Sequence, residues 1–328
     1  MKRLFILSIF FLLTGFSSTD FQRENLEFFN ILNNTKISAI APGSACNPQL
    51  FQDIQNIPKL HLNLNNNCFD NTKTPFHSNS DDMRLQCLKD AIFDQSTEVV
   101  WALRGGYGCA KLIHGLGKLD KPNKEKFFIG YSDVTALHLF LSQKWGWKTI
   151  HGAGILELLD KSKSRSNFIK IAEIVSGKVS DSKITGLSPI NLAAKKTKKI
   201  NGKLTGGNLT IVQTSINTDW QIETRGKILF LEDVDAKPYQ IDRMLHHLKQ
   251  SSILEDVASI IFGSFNKDDE NTMRVLSEFA SNLNVPVFKT NKFGHERINE
   301  PIIYNVHSFI SPSSKGTFTL IMNINKTH

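Results

Sequence analysis

Residues 127–137 read FFIGYSDVTAL, and this stretch decides the fold. Its first four residues form an apolar run typical of a buried strand, and Tyr131, Ser132 and Asp133 separate that run from a second apolar stretch of helical length. A strand followed directly by a helix is the building unit of a parallel α/β sheet. Ligands bind beyond the carboxyl ends of the strands in such sheets, so Ser132 lies where a functional side chain is expected.

Two upstream segments repeat the pattern of a buried strand that ends in a loop. Residues 36–41 form an apolar run that APGS at 41–44 terminates, and residues 98–103 form a second run that leads into RGGYG at 104–108. Between them, residues 81–93 carry apolar side chains at helical spacing. Strands that alternate with helices predict an N-terminal parallel-sheet α/β domain.

The length of 328 residues favours two domains. We place the first at residues 35–160. Residues 161–202 are polar, rich in Lys and Ser and without clear periodicity, and we interpret them as a linker. Residues 203–328 form the second domain. Strand candidates at 226–231, 257–263 and 316–322 and a helix candidate at 239–249 indicate a smaller, strand-rich C-terminal α/β domain.

Composition excludes several classes of protein. With 40% hydrophobic and 21% charged residues, the chain is neither low-complexity nor wholly disordered. The formal charge is +8, from 39 Lys and Arg against 31 Asp and Glu, and the main basic cluster at 195–199 contains no aromatic residue for base stacking. We therefore predict no nucleic-acid partner.

The N-terminus resembles a secretory signal peptide at residues 1–17. Lys2 and Arg3 precede an apolar run at 4–13, and small residues follow at 15–17. The run is too short to span a bilayer, although an uncleaved anchor is the alternative. We expect an exported, periplasmic or secreted protein with no stable membrane insertion after processing.

The cysteines leave the disulfide state open. Cys46, Cys68, Cys87 and Cys109 can pair in three ways in an oxidising compartment. Their spacing matches no zinc motif, so we predict no metal site, and no motif indicates a cofactor.

Three side chains at predicted strand ends could form a nucleophile, base and carboxylate set. Ser132 follows one strand, Glu232 ends another, and His295 lies in a loop beyond a third. Position alone does not show that Ser132 is a nucleophile. A serine between a strand and a helix is commonly an N-cap, and the stretch that begins at Gly130 lacks the second glycine of the G-x-S-x-G motif.

Motifs along nearly the whole chain after residue 35 resemble the LD-carboxypeptidase family of serine peptidases, the murein tetrapeptide carboxypeptidases. They are APGS at 41–44, RGGYG at 104–108, GYSDVTALH at 130–138, HG at 151–152, GGNL at 206–209, LEDVD at 231–235 with PY at 238–239 and DRML at 242–245, and FGH at 293–295.

The resemblance implies a cleft between the two domains and a role for each candidate. Ser132 would be the nucleophile, His295 the base and Glu232 the carboxylate that orients it. The amides of Gly106 and Asp133 would form the oxyanion hole. The implied reaction is hydrolysis of the bond before the terminal D-alanine of a murein tetrapeptide, within peptidoglycan recycling, through an acyl-enzyme and without a metal.

The family pattern also suggests substrate contacts and a possible homodimer. Arg104 would pair with the substrate carboxylate, and Asn208 would contact the substrate. The chain departs from the pattern at Ala153 and at 296–298, which implies a pocket of different shape and specificity. Two alternatives stay open: an immunity hydrolase that cleaves peptidyl-nucleotide antibiotics, for which Trp220 is the candidate aromatic shelf, and a non-catalytic exported muropeptide-binding protein.

Overall fold

The computed structural model describes residues 25–57, 59–69 and 74–325. The predicted signal peptide at 1–17 lies outside them. Within these ranges, no helix is both long enough and apolar enough to cross a membrane.

Helices and strands alternate through most of the chain. The α-helices of the described ranges are α1 (Leu26–Leu32), α2 (Pro48–Gln55), α3 (Asp81–Phe93), α4 (Ile113–Leu116), α5 (Thr135–Lys144), α6 (Arg165–Val175), α7 (Leu192–Lys196), α8 (Leu209–Thr214), α9 (Pro238–Gln250) and α10 (Glu270–Ser281). The strands there are β1 (Ile37–Ile40), β2 (Leu62–Asn63), β3 (Val99–Ala102), β4 (Phe127–Gly130), β5 (Thr149–His151), β6 (Asp181–Pro189), β7 (Ile200–Asn208), β8 (Ile228–Asp233), β9 (Ser259–Phe265), β10 (Val287–Lys289), β11 (Ile302–Ile303), β12 (His307–Pro312) and β13 (Phe318–Asn323).

The N-terminal domain is built on a six-stranded sheet in the order β11-β5-β4-β3-β1-β2. All its pairs are parallel except β11 with β5. Every residue of β1, β3 and β5 is buried, as expected where helices cover both faces of a parallel sheet. The predicted parallel α/β domain is confirmed.

The order of strands brings the functional loops together. Because β1, β3 and β4 are parallel neighbours, their carboxyl ends lie at one edge of the sheet. The loops that follow them are residues 41–44, 103–108 and 131–133. The nucleophile candidate therefore lies beside the glycine-rich turn.

The C-terminal domain is a closed seven-stranded barrel in the order β10-β6-β13-β12-β7-β8-β9. Strands β7 to β10 pair in parallel, whereas β6, β12 and β13 pair antiparallel. The predicted strand-rich domain is confirmed. Asn208 and Glu232 lie at the carboxyl ends of the neighbouring strands β7 and β8.

The segment at 161–202, predicted as a linker, is folded. It contains α6 and α7, and its strand β6 pairs with β13 and β10 inside the barrel. Only Ile184 and Leu187 of the nine residues in β6 are buried, so the strand is polar enough to resemble a connection. The strand β11, from the C-terminal part of the chain, pairs with β5 and so extends the N-terminal sheet.

One of the open cysteine pairings is present in the structure. Cys68 and Cys87 form a disulfide that joins the loop after β2 to α3. Cys46 and Cys109 are free thiols, and burial raises the pKa of both.

Candidate active site

Ser132 occupies a strained turn at the end of β4. Its φ is +63°, a left-handed conformation that costs a non-glycine residue about 1–3 kcal/mol. An N-cap serine has an extended backbone instead, and the residue that caps the 3₁₀ turn Ser132–Val134 is Tyr131. Such strain is typical of the turn that presents a nucleophilic serine at the top of a sheet, and here it favours the nucleophile over the N-cap.

The glycine-rich turn packs directly against this serine. A Cβ on Gly105 would lie 2.8 Å from the Cβ of Ser132 and 3.2 Å from its Oγ, so only glycine permits this approach. Gly106 has a φ of +107° and lies against Ser44. Ser44 fixes the turn from both sides, since its amide donates to the Gly105 carbonyl at 3.3 Å and its Oγ accepts from the Tyr107 amide at 3.1 Å.

Asp133 connects the nucleophile turn to the glycine-rich turn. Its carboxylate is buried and accepts a hydrogen bond from the Cys109 amide at 2.8 Å. Burial raises its pKa although these amide contacts oppose the shift. The side chain thus fixes the relative position of the two turns whose amides, at Gly106 and Asp133, are the predicted oxyanion donors.

His295 and Glu232 form the hydrogen-bonded pair that the sequence predicts. The Nδ1 of His295 donates to Oε2 of Glu232 at 2.7 Å, and the Glu232 side chain is fully buried whereas that of His295 is 17% exposed. With Nδ1 bound to the carboxylate, Nε2 is the nitrogen that remains to accept a proton. This is the arrangement of a base and its orienting carboxylate.

Formation of the pair lowers the pKa of Glu232 and raises the pKa of His295. Burial alone would raise the pKa of Glu232, but the charge of His295 and its hydrogen bond hold that pKa below the ordinary value. Burial alone would lower the pKa of His295, but the carboxylate of Glu232, with those of Asp233 and Glu157, raises it above the ordinary value. The carboxylate therefore stays ionised and the imidazole is a stronger base than usual.

Aromatic rings place His295 next to the nucleophile turn. The ring of Tyr131, the residue before Ser132, lies 4.7 Å from the imidazole of His295, measured between centroids. Beneath it, the fully buried His151 contacts the rings of Tyr131, Phe230 and Phe293. The structure therefore places the Glu232–His295 pair against Tyr131, the residue before Ser132.

The two predicted substrate-binding residues differ in their surroundings. Arg104 is exposed, and one of its five donors, at Nη1, contacts the carbonyl of Ala45 at 3.1 Å. Asn208 is buried. Its Nδ2 donates to Oε1 of Glu232 at 3.4 Å, and its Oδ1 accepts from the Ile211 amide. These contacts make Asn208 a support for the Glu232 carboxylate and the N-cap of α8.

Several residues of the site carry no assignment from the sequence. Tyr131 lies in the GYSDVTALH motif and Ser44 in the APGS motif, so the sequence could have indicated both residues. Glu157 belongs to no motif, Lys163 lies in the segment without clear periodicity, and the His295 partner of Lys163 is 132 positions away. No local pattern could have found that contact.

Both halves of the chain match one known protein family. Family models described as the LD-carboxypeptidase N-terminal and C-terminal domains match residues 37–152 and 201–309. A Rickettsia conorii protein with a provisional carboxypeptidase name is 56% identical over 89% of this chain and 92% of its own length. The murein tetrapeptide carboxypeptidase of Pseudomonas aeruginosa is 31% identical over 65% of this chain and 72% of its own.

More distant matches include a solved structure with the same fold. The solved muramoyltetrapeptide carboxypeptidase of Oxalobacter formigenes has a TM-score of 0.75 at 24% identity, covering 88% of this chain and 99% of that one. A microcin C7 self-immunity protein of Escherichia coli is 25% identical over 66% of this chain and 72% of its own. The two matching domain models and the Rickettsia conorii relative show that the chain belongs to the LD-carboxypeptidase family of serine peptidases.

Proposed function

We propose that this protein hydrolyses the peptide bond before the terminal D-alanine of a murein tetrapeptide through an acyl-enzyme on Ser132. The observation that carries the proposal is the buried Glu232 carboxylate bound to Nδ1 of His295, in a site that also contains a serine on a strained turn. The family relatives named for murein peptides support the choice of substrate.

The first half of the reaction forms the acyl-enzyme. His295 accepts the Ser132 proton at Nε2 while Oγ attacks the carbonyl carbon before D-alanine. The amides of Gly106 and Asp133 donate to the oxyanion, which forms at the junction of the two turns. The C–N bond then breaks, and the proton on His295 passes to the leaving amine of D-alanine.

Water completes the cycle. His295 takes a proton from a water molecule whose oxygen attacks the acyl carbon, and the proton returns to Ser132 as the ester bond breaks. Arg104 would pair with the free carboxylate of the substrate, because its exposed guanidinium has donors beyond the one that Ala45 accepts.

The alternatives are weaker on the same observations. A nucleotide antibiotic calls for an exposed aromatic shelf, but Trp220, the candidate, is only 6% exposed. A binding protein has no need of a hydrogen-bonded base and carboxylate beside a strained serine.

Mass spectrometry of a purified murein tetrapeptide tests the proposal. We expect wild-type protein to remove one D-alanine and Ser132→Ala to remove none, because the variant lacks the nucleophile but keeps the surrounding fold. Cleavage by the variant at the wild-type rate would disprove the mechanism. If neither protein cleaves while both are folded, the nucleotide-hydrolase and binding-protein alternatives move ahead.

We also propose that the protein is exported after removal of the leader at 1–17. The charged start and short apolar run support this. N-terminal sequencing of protein from its native host should then begin near Ser18 or Thr19. Soluble protein that begins at Met1 would overturn the proposal.

A further inference from the structure

One ammonium group contacts the loop next to His295 itself. Lys163 lies just before α6, and its Nζ donates to the carbonyl of His295 at 2.8 Å and to that of Glu296 at 3.2 Å. The same Nζ forms an ion pair with Oε2 of Glu157 at 3.4 Å. Two carbonyl oxygens and one carboxylate thus surround the ammonium group.

Glu157 connects this contact to the nucleophile turn. Its side chain is 16% exposed, and its Oε1 accepts from the Gly154 amide at 3.2 Å. The carboxylate also lies next to the hydroxyl of Tyr131, whose pKa is raised first by burial and then by the Glu157 charge. Since the Tyr131 ring packs on the His295 imidazole, the contacts run from His295 through Lys163, Glu157 and Tyr131 back to His295.

We propose that Lys163 and Glu157 are positioning residues that hold the His295 loop on the nucleophile domain and thereby set how His295 meets Ser132. We call this pair the Lys163–Glu157 bridge. The inference rests on the proposed function for its kinetic consequences, but the bridge itself is a structural claim. It gives a role to a segment whose sequence resembles a linker.

Other contacts should keep the loop folded when the bridge is removed. The Ser164 amide and Nδ2 of Asn167 both donate to the carbonyl of Arg297, at 2.9 and 3.1 Å. The Asn299 amide donates to Oδ1 of Asn167 at 3.0 Å. Loss of Lys163 therefore removes the contact nearest His295 while the rest of the loop stays attached.

The chain offers a matched control. Lys170 of α6 forms an ion pair with Glu300 at 2.9 Å, which joins the same two regions beyond the His295 carbonyl. Lys170→Met removes the same charge from a more exposed lysine, 35% against 14% for Lys163, without touching residues 295 or 296. A general weakening of the domain contact would affect both lysine variants, whereas the bridge predicts an effect of Lys163→Met alone.

Steady-state kinetics measure the positioning. With a murein tetrapeptide, Lys163→Met should lower kcat by roughly 10- to 100-fold, because small displacements of a catalytic group have effects of that size, with KM changed less than about threefold. Lys163→Arg should recover part of kcat, and Lys170→Met should stay within about twofold of wild type. Lys163→Met with the wild-type kcat would overturn the proposal.

The pH dependence of kcat/KM distinguishes a positioning role of Glu157 from a purely structural one. The titratable groups around His295 are Glu232, Asp233 and Glu157, which raise its pKa, the neighbouring His151 and Tyr131, and Lys163, which donates to its carbonyl. Glu157→Gln removes one of these negative charges, so the His295 pKa should fall and the acid limb of kcat/KM should move to lower pH. An unshifted limb together with an unshifted pKa would count against the bridge.

Two measurements without substrate keep this test independent of the proposed function. NMR titration of the His295 imidazole should show a lower pKa in Glu157→Gln than in wild type. Amide hydrogen exchange at residues 294–297 should be faster in Lys163→Met but not in Lys170→Met. If wild-type protein releases no D-alanine, the proposed function fails, while unchanged exchange and an unchanged pKa overturn the bridge whatever the reaction is.

Discussion

Ser132 and His295 belong to the same candidate site, but the contacts that position them span very different separations along the sequence. The carboxylate beside the nucleophile, Asp133, binds the amide of Cys109, 24 positions away. His295 instead binds Glu232, 63 positions away, and Lys163, 132 positions away. The nucleophile side therefore depends on neighbouring β-strands and their loops, whereas the base side depends on hydrogen bonds between segments far apart in the sequence.

The two halves of the site should therefore tolerate different substitutions. The nucleophile turn is held by close backbone packing, so added volume should disturb it. The base is held by charged hydrogen bonds, so loss of charge should disturb it. The predictions below test that contrast.

The largest effect is expected from Glu232→Gln. The amide can occupy the same space but would stabilise the wrong imidazole tautomer and could not balance the charge on protonated His295. We expect kcat to fall by about 10³- to 10⁴-fold with little change in the fold, measured by D-alanine release and circular dichroism. A fall of less than about tenfold would mean that Glu232 does not orient the base.

The next effect is expected from Gly106→Ala on the nucleophile side. The new Cβ would lie 2.9 Å from the Ser44 amide nitrogen and closer still to the Ser44 side chain, in a residue with a φ of +107°. Displacement of an oxyanion donor should cost about 10²- to 10³-fold in kcat.

Gly186→Ala is the matched control for backbone strain. Gly186 in β6 also has a positive φ, +79°, but a Cβ there would meet no atom within 4 Å. It should lower the unfolding free energy by about 1 kcal/mol without lowering kcat. Equal loss of kcat in both variants would show that strain alone, and not the collision with Ser44, disturbs the site.

The same contrast explains what could be predicted from the sequence. The bounds of α3, the end of β4 and the turn at Ser132 follow from local apolar patterns, and the structure has them at or within a residue or two of the predicted positions. The polar strand β6 could not be recognised, since its outward positions face solvent and only two of its residues are buried.

The base side was predictable only in part. The pairing of Glu232 with His295 follows from the family motifs, but Lys163 and Glu157 belong to no motif and their contacts depend on how the domains pack. Asn208 shows the same limit: its motif was visible, but only the fold shows that its amide supports Glu232.

The smallest effect is the pH dependence, which separates the two sides without a mutation. His295 must be neutral to accept the Ser132 proton, and its pKa lies above the ordinary 6.5 because the nearby carboxylates outweigh burial. Below that pKa, kcat/KM should fall about tenfold for each pH unit. An acid limb centred below 6.5 would contradict the environment described for His295.

The stability of the protein should fall over a lower pH range than its activity. On the nucleophile domain, burial lowers the pKa of His138 to about 3 and that of His151 to about 4. Because the unfolded chain binds these protons below about 6.5, the unfolding free energy should fall as the pH drops from 6.5 towards 3. Denaturant unfolding at pH 7.5, 6 and 4.5 should therefore show a stable fold at pH values where activity is already declining. Coincident loss of activity and structure would mean that titration of the base cannot be separated from unfolding of the domain that carries the nucleophile.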